Sequence, residues 1–321
     1  MRDKILSLLN NHGFVSGEKI AEQLGLSRTA VWKQIETLRG MGYRIISVKN
    51  KGYSLVYRPD IPYPEEILPD LNTKIIGRKL CYFKTLSSTN LFARELAKKG
   101  VEDGTVVVAD TQSRGRGRRN RAWFSPYGGL WFSIILYPGI PPEKGMMLMM
   151  IASIATVEGI KEVTDVDAEI KWPNDVLIKG KKVCGVLIEM DAELDRINYA
   201  IVGIGINVNN KLEKSLEERA TTLRDEVDTK VSKVQLLKSV LKNFDEKYME
   251  LLHGGYGAIR KKWILYSKIV GREIVVKEEN KTLKGIVERV DEEGYLILKT
   301  KEGGIKILSG DVEYNEEHID Q

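Results

Sequence analysis

The sequence predicts an α/β chain in three parts: an N-terminal winged helix-turn-helix (residues 1–60), a central α/β domain (65–268) and a small closed or SH3-like β-barrel (269–321). Three observations predict this. Apolar residues at helical spacing fill the first 40 positions and give way to two short alternating runs. Through the middle, strand-like runs of Val, Ile and Leu alternate with amphipathic helical stretches. The end of the chain holds only short strand-like runs between Glu, Asn, Lys and Gly turns. A length of 321 residues also exceeds one ordinary core and suits two or three domains.

Composition narrows the function classes. No apolar run approaches the roughly 20 residues needed to span a bilayer, and the N-terminus lacks the apolar core of a signal peptide, so a cytoplasmic protein with no membrane partner is expected. Cys81 and Cys184 are far apart, and His12, His253 and His318 are the only histidines, so no metal site is predicted. The net charge of +5 is unevenly spread: residues 1–58 hold ten Lys/Arg against four Asp/Glu, leaving −1 for the remainder. A basic N-terminal module points to a polyanionic partner, DNA first.

In that module Ile5, Leu6, Leu8 and Leu9 share one side of a helix, and Asn10, Asn11 and Gly13 supply the stop. Ser16 can cap a second helix carrying Ile20, Ala21 and Leu24; Gly25 turns the chain, and Ser27 caps a third. The third helix presents Val31, Ile35 and Leu38 inward, which leaves Arg28, Thr29, Trp32 and Lys33 outward, the arrangement that meets base edges in a major groove. Tyr43–Val48 and Tyr53–Tyr57 form a hairpin whose tip carries Lys49 and Lys51, a wing able to reach phosphate. Pro59, Pro62, Pro64 and Pro69 then read as a stiff linker.

The central domain is organised around Asp110–Tyr127, in which Arg114, Arg116, Arg118, Arg119 and Arg121 alternate with Gly115 and Gly117 and are followed by Trp123 and Phe124. Glycine allows close backbone approach, and guanidinium forks match phosphate and carboxylate oxygens. Such a segment reads as an anion clamp, or equally as a solvated basic loop. It connects the strand-like Thr105–Ala109 and Leu130–Tyr137. Upstream, Leu80–Thr85 reads as a strand and Asn90–Lys99 as a helix; Ser88, Thr89 and Asn90 between them can cap the helix or hold a polar ligand. The methionine-rich helix Met146–Val163 is a core filler. Lys171-Trp172-Pro173-Asn174-Asp175 sets a cation, an amide and a carboxylate around a proline, and Lys182 opens the returning strand Val183–Met190. Ile197–Val208 is a further strand, ending in Gly203, Gly205 and Asn207. No GxGxxG, Walker, GxSxG or HExxH motif occurs, so a nucleotide would bind by another architecture.

SSTN, QSRGRGRRNRAWFSP, KWPND, KVCGVLIE and GIGIN, in this order behind a helix-turn-helix, resemble the biotin-protein ligase family, and within it the bifunctional biotin operon repressors. The resemblance covers nearly the whole chain. Asn120 departs from the pattern, since the family usually has glycine there.

The resemblance implies a class II synthetase-like sheet with helices packed on one face. It also implies a two-step reaction. Biotin carboxylate attacks the α-phosphate of ATP to give biotinyl-adenylate and pyrophosphate, with Mg²⁺ assisting; a carrier lysine then attacks the adenylate. Ser88, Thr89, Asn90 and Gln112, with Gly115, Arg116 and Gly117, would hold biotin. Arg118 and Lys171 would neutralise charge, Lys182 would lie near the acyl-phosphate link and Asp175 would orient the incoming amine. Arg121, Trp123, Asn174 and Asn207 would serve the nucleotide. Expected partners are a biotin carboxyl carrier protein, operator DNA through Ser27, Arg28, Thr29, Trp32, Lys33, Lys49 and Lys51, and a second copy when the adenylate is bound. A lipoate ligase, a sensor with a vestigial site, and a ligase that no longer binds DNA are the competing readings.

In the last part, Val234–Leu252 reads as an amphipathic helix and a shorter one precedes Tyr266. Ile269–Val276, Thr282–Val290, Tyr295–Lys299 and Gly304–Leu308 read as strands.

Overall fold

The structure is a computed structural model that describes residues 1–10, 13–277 and 281–314; Asn11, His12 and His318 lie outside these. The chain divides into two compact units, Met1–Asp70 and Leu71–Gln321.

The first unit is the winged helix-turn-helix. Helix α1 (Arg2–Asn10) buries Ile5, Leu6 and Leu9. Helix α2 (Gly17–Leu24) starts where Ser16 Oγ accepts from the Lys19 amide, and it ends at Gly25 in the left-handed conformation (φ 66°). Helix α3 (Arg28–Gly40) is capped by Ser27 in the same way and buries Val31, Ile35 and Leu38. Arg28, Thr29, Trp32 and Lys33 are exposed. Strands β1 (Arg44–Val48) and β2 (Gly52–Tyr57) form the hairpin, closed at Val48↔Gly52, with Lys49 and Lys51 exposed at the tip.

The proline-rich stretch is not an open spacer. Pro64 begins a short helix α4 (Pro64–Ile67), where its missing N–H costs nothing. Glu66 there is nearly buried and accepts from Tyr43 Oη (2.8 Å) and Arg58 Nη1 (2.7 Å), while Glu65 pairs with Arg2. These contacts fasten residues 63–67 to the first unit, which therefore ends at Asp70.

The second unit is built on a seven-stranded sheet. In chain order its elements are β3 (Leu80–Leu86), α5 (Thr89–Ala97), β4 (Val106–Gln112), β5 (Leu130–Leu136), α6 (Met146–Thr164), β6 (Glu169–Lys171), β7 (Asp175–Ile178), β8 (Lys181–Ala192) and β9 (Ile197–Ile206). Strand order is β3-β4-β5-β9-β8-β7-β6, parallel only between β3 and β4. A short helix α7 (Leu223–Val227) precedes α8 (Lys233–Leu252) and α9 (Tyr256–Ser267). Asp245 of α8 accepts from the amides of Lys74, Ile75 and Ile76, each at 2.8 Å, and so anchors the helix to the segment leading into β3.

Register assigns the two faces of the sheet. Phe132, Ile204 and Val186 align across β5, β9 and β8 on one face, which Cys184, opposite Ile206, shares; Ser133, Gly203 and Leu187 align on the other. Helix α6 covers the first face, with Thr156 beside Cys184, and α8 and α9 pack behind it. Burial pushes the Cys184 thiol up to about 12, as befits an inert core residue. Helix α5 lies on the opposite face, with Ala93 and Ala97 against Val107, Ile135 and Ile201. The expected one-sided arrangement is thus incomplete. Helix α5 is short enough to cover only the β3–β5–β9 end, and the glycine-bearing stretch of β8 and β9 stays open.

Strands β10 (Glu273–Lys277), β11 (Thr282–Val290), β12 (Leu296–Thr300), β13 (Gly303–Ile307) and β14 (Asp311–Tyr314) form, among the described residues, an antiparallel sheet of order β13-β12-β11-β10-β14. Strand β14 escapes sequence reading because four residues, DVEY, are too few to show a period. Among the described residues no helix is long and apolar enough to cross a membrane.

Candidate active site

The open face holds a cavity of about 280 Å³. Its floor is backbone. A Cβ on Gly205 would lie 2.5 Å from Trp123 Nε1, one on Gly185 3.0 Å from the same indole, and one on Gly203 2.1 Å from Asn90 Oδ1. Three glycines on two central strands therefore let an indole and an amide lie flat on the sheet.

The arginine segment folds as a hairpin over this floor instead of as a loose loop. Gln112 bridges Ser125 and Arg116 bridges Ala122; the Gly117 amide donates to Arg121 O (2.8 Å) and the Trp123 amide to Gly115 O (2.9 Å). Its tip is a 3₁₀ turn, Arg118–Asn120, in which Arg119 (φ 53°) and Asn120 (φ 56°) are both left-handed. Asparagine is among the few non-glycine residues that tolerate this region, which accounts for its presence where the pattern has glycine. Arg118 Nη1 donates to Asn174 Oδ1 (3.0 Å), Arg116 Nη1 to Glu189 Oε1 (3.0 Å), and Arg121 Nη2 to Asp311 Oδ2 (2.5 Å). Burial lowers the Arg118 pKa, with Asp311 and Asp175 acting in the opposite direction; a guanidinium remains protonated regardless.

At the other end, the Thr89 amide and hydroxyl both donate to Gln112 Oε1 (2.8 and 3.1 Å), and Gln112 Nε2 donates to Ser125 Oγ (2.8 Å). Asn90 Nδ2 donates to Glu189 Oε2 (2.9 Å). Glu189 thus holds Asn90 and Arg116 together. Ser88, Thr89 and Asn90 are buried, so their polar groups are fixed in place.

Lys182 reaches the site through an irregularity in the β7–β8 hairpin. Lys179 and Gly180 both have positive φ and make a two-residue turn closed by Ile178↔Lys181. Pairing then runs Leu177↔Lys182 and Val176↔Cys184, which leaves Val183 as an extra residue, a β-bulge. Regular pairing would have turned Lys182 toward α6; the bulge turns it to the open face. There its Nζ lies 2.6 Å from Asp175 Oδ1 and 5.0 Å from the Trp123 ring centroid.

Most of the residues singled out in the sequence come together here. Ser88, Thr89, Asn90, Gln112, Arg116, Gly117, Arg118, Arg121, Trp123, Asn174, Asp175, Lys182 and Asn207 all line the cavity. Gly115 and Lys171 do not. Gly115 is packed against Trp123 O, where it shapes the hairpin. Lys171 is paired with Asp175 across β6 and β7, but its Nζ lies 5.5 Å from the Tyr314 ring centroid, in the smaller sheet.

Sequence reading missed Leu212, Leu216, Arg219 and Ala220 as lining residues, and Asp311. The first four lie in a charged segment without the periodicity of a helix or strand; in the structure it pairs with the start of β8, through Lys182 N to Arg219 O and Thr221 N to Lys182 O. Nothing in sequence spacing ties Asp311 to a loop nearly two hundred positions earlier.

Three family models match the chain: the HTH domain over residues 2–54, the Biotin/lipoate A/B protein ligase family over 82–207, and the Biotin protein ligase C terminal domain over 269–314. The Bifunctional ligase/repressor BirA of Bacillus subtilis (strain 168) is 41% identical over 98% of this chain and 98% of its own length. That of Escherichia coli (strain K12) is 27% identical over 96% and 94%. Among solved structures, the biotin protein ligase from Aquifex aeolicus in complex with biotin and ATP superposes with a TM-score of 0.64 at 31% identity, covering 74% of this chain and 99% of that one. Identity of 41% over 98% of both chains, with three family models matched in succession along the sequence, places the chain in the family of bifunctional biotin ligase–repressors.

Proposed function

We propose that this chain is a cytoplasmic, ATP-dependent biotin-protein ligase that doubles as a repressor of biotin genes. The carrying observation is the cavity itself: an arginine hairpin, an amide pair and a Lys182–Asp175 pair converge over a glycine floor.

The first step brings together two anions, the biotin carboxylate and the α-phosphate of ATP. Arg116 and Arg118 supply fixed positive charge where these would meet, and a partly closed, water-poor cavity lets that charge act more strongly on the anions. Ser88, Thr89 and Gln112 offer donors and acceptors suited to a ureido ring. Trp123, flat on Gly185 and Gly205, offers a stacking surface for a base. Lys171, which lies off the cavity, acts through Asp175 or the smaller sheet and not on the reacting atoms. Carboxylate oxygen bonds to phosphorus and pyrophosphate leaves. In the second step the ε-amine of a carrier lysine attacks the acyl carbon, AMP leaves, and Asp175 orients the amine or takes its proton.

Among the described residues no group of three His, Cys, Asp or Glu side chains is placed to hold a metal. A Mg²⁺ carried on the nucleotide phosphates would be held by Asp175 and Asn207, whose oxygens lie on the cavity wall. Bound there, it would neutralise phosphate charge.

Repression follows from α3 and the wing. Arg28, Thr29, Trp32 and Lys33 are exposed on one helix, and Lys49 and Lys51 on the hairpin tip. Occupancy of the arginine hairpin by biotinyl-adenylate promotes pairing of two copies, and a pair matches a palindromic operator.

Exchange of labelled pyrophosphate into ATP, with biotin and with lipoate as separate substrates, tests the reading. Biotin-dependent exchange alone is expected; exchange with lipoate would move the chain to the sister activity, and no exchange with either would leave a sensor. Equal affinity for operator DNA with and without biotinyl-adenylate would remove the regulatory half.

A further inference from the structure

Lys233 is an ammonium at the first position of α8, at the positive end of a helix dipole, and only 3% exposed. Both features disfavour a cation. Its surroundings offset them. Nζ lies 3.4 Å from Asp110 Oδ1, itself 5% exposed, and 5.0 Å from the ring centroid of Tyr127. Tyr82 Oη donates to the other Asp110 oxygen, at 2.5 Å.

Asp110 and Tyr127 are the two ends of the arginine segment. Asp110 is the last fully buried residue of β4 before the hairpin leaves the sheet, and Tyr127 is where the chain turns back toward β5. One buried cation on a separate helix therefore touches both stems, an ion pair on the entry side and a cation–π contact on the exit side. Next to the exit stem, Trp131 Nε1 donates to Pro126 O (3.0 Å). Lys233 does not line the cavity and takes no part in the steps above.

We infer that Lys233 is a positioning residue for the ligase reaction, a clamp that fixes both stems of the arginine hairpin so that its tip stays closed over the acyl-adenylate between the two steps. The inference rests on the ligase reading. An acyl-adenylate is lost to water when its cover opens, so the clamp governs retention more than formation.

The test uses the full chain and labelled biotin with ATP, and follows three quantities: biotin-dependent pyrophosphate exchange, release of labelled adenylate without carrier, and melting temperature. Lys233→Met should speed release on the order of tenfold while exchange stays within about threefold. It leaves the Asp110 carboxylate buried with Tyr82 but without its cation, so the melting temperature should fall; Lys233→Met/Asp110→Asn removes both charges and should recover much of it. In the double variant fast release should persist, because neither stem regains its tie. Should Lys233→Met fail to fold, Tyr127→Leu, which keeps the ion pair and loses only the exit-side contact, should speed release in the same direction. Normal exchange with unchanged release in the variants, or release restored together with stability in the double variant, overturns the clamp. Absent exchange in the unmodified chain overturns the ligase reading, and the clamp with it.

Discussion

Asp311 accepts from Arg121 Nη2 at 2.5 Å and from Arg119 Nη1 at 3.4 Å, so a carboxylate on the last described strand holds the tip of the arginine hairpin. Burial would raise the Asp311 pKa, but the Arg121 hydrogen bond and the charges of Arg121, Arg119 and Arg118 outweigh it, and the net shift is downward from 3.8. A lowered pKa in the folded state means the contact stabilises above the ordinary carboxylate range and is lost as pH falls through the lowered value. Asp311→Asn should therefore melt below the unmodified chain at neutral pH. The two melting curves should converge as pH drops below 3.8. A melting difference that does not vary with pH would contradict this.

Arg118 donates to Asn174 and stands over the cavity at the turn of the hairpin. Arg118→Gly removes the charge and adds backbone freedom at the tip. Adenylation should survive in part while the adenylate is released to solution. Single-turnover assays with and without carrier measure both rates; a variant that still retained its adenylate would refute the prediction.

Asn120 sits at φ 56°, next to Arg119 at φ 53°. Asn120→Gly removes the cost of that conformation and should leave activity unchanged. Asn120→Val places a β-branched residue where L side chains lose about 1–2 kcal/mol, and should open the tip. Faster cleavage within residues 117–121 by a protease of broad specificity, seen for the valine variant only, is the expected result.

Gly205 carries no side chain because Trp123 Nε1 occupies the position a Cβ would take. Gly205→Ala should lift the indole and lower kcat/KM for ATP on the order of a hundredfold, since small displacements of positioned groups are costly. The far-ultraviolet circular dichroism should not change. Equal kcat/KM in the two chains would show that the indole plays no part in nucleotide binding.

Local rules made much of this legible in the sequence. Ser16 and Ser27 cap the helices that follow them, Gly25 takes the left-handed turn, and Val31, Ile35 and Leu38 fall on the buried face, because each depends on neighbours within one helical turn. The resemblance-bearing motifs likewise carried their residues to one cavity. Longer-range consequences stayed hidden. Lys171 belongs to a motif yet points to Tyr314, and Asp311 and Lys233 belong to no motif yet hold the tip and stems of the arginine hairpin. Docking of α4 through Glu66 was also invisible, since prolines announce a stiff segment without saying what it rests on.

The extra residue in β8 has a consequence for how this chain can vary. Lys182 faces Asp175 only because the count of residues between the Ile178↔Lys181 turn and the Val176↔Cys184 pair is odd by one. Loss of Lys179 or Gly180, taken up by straightening the bulge, would pair Lys182 with Ile178 and send the amine to the far side of the sheet with every contact partner still encoded. The hairpin thus behaves like a reading frame. Its turn residues can drift in identity but not in number, and an alignment gap at Lys179–Gly180 in a relative would be a stronger sign of lost activity than a substitution of either.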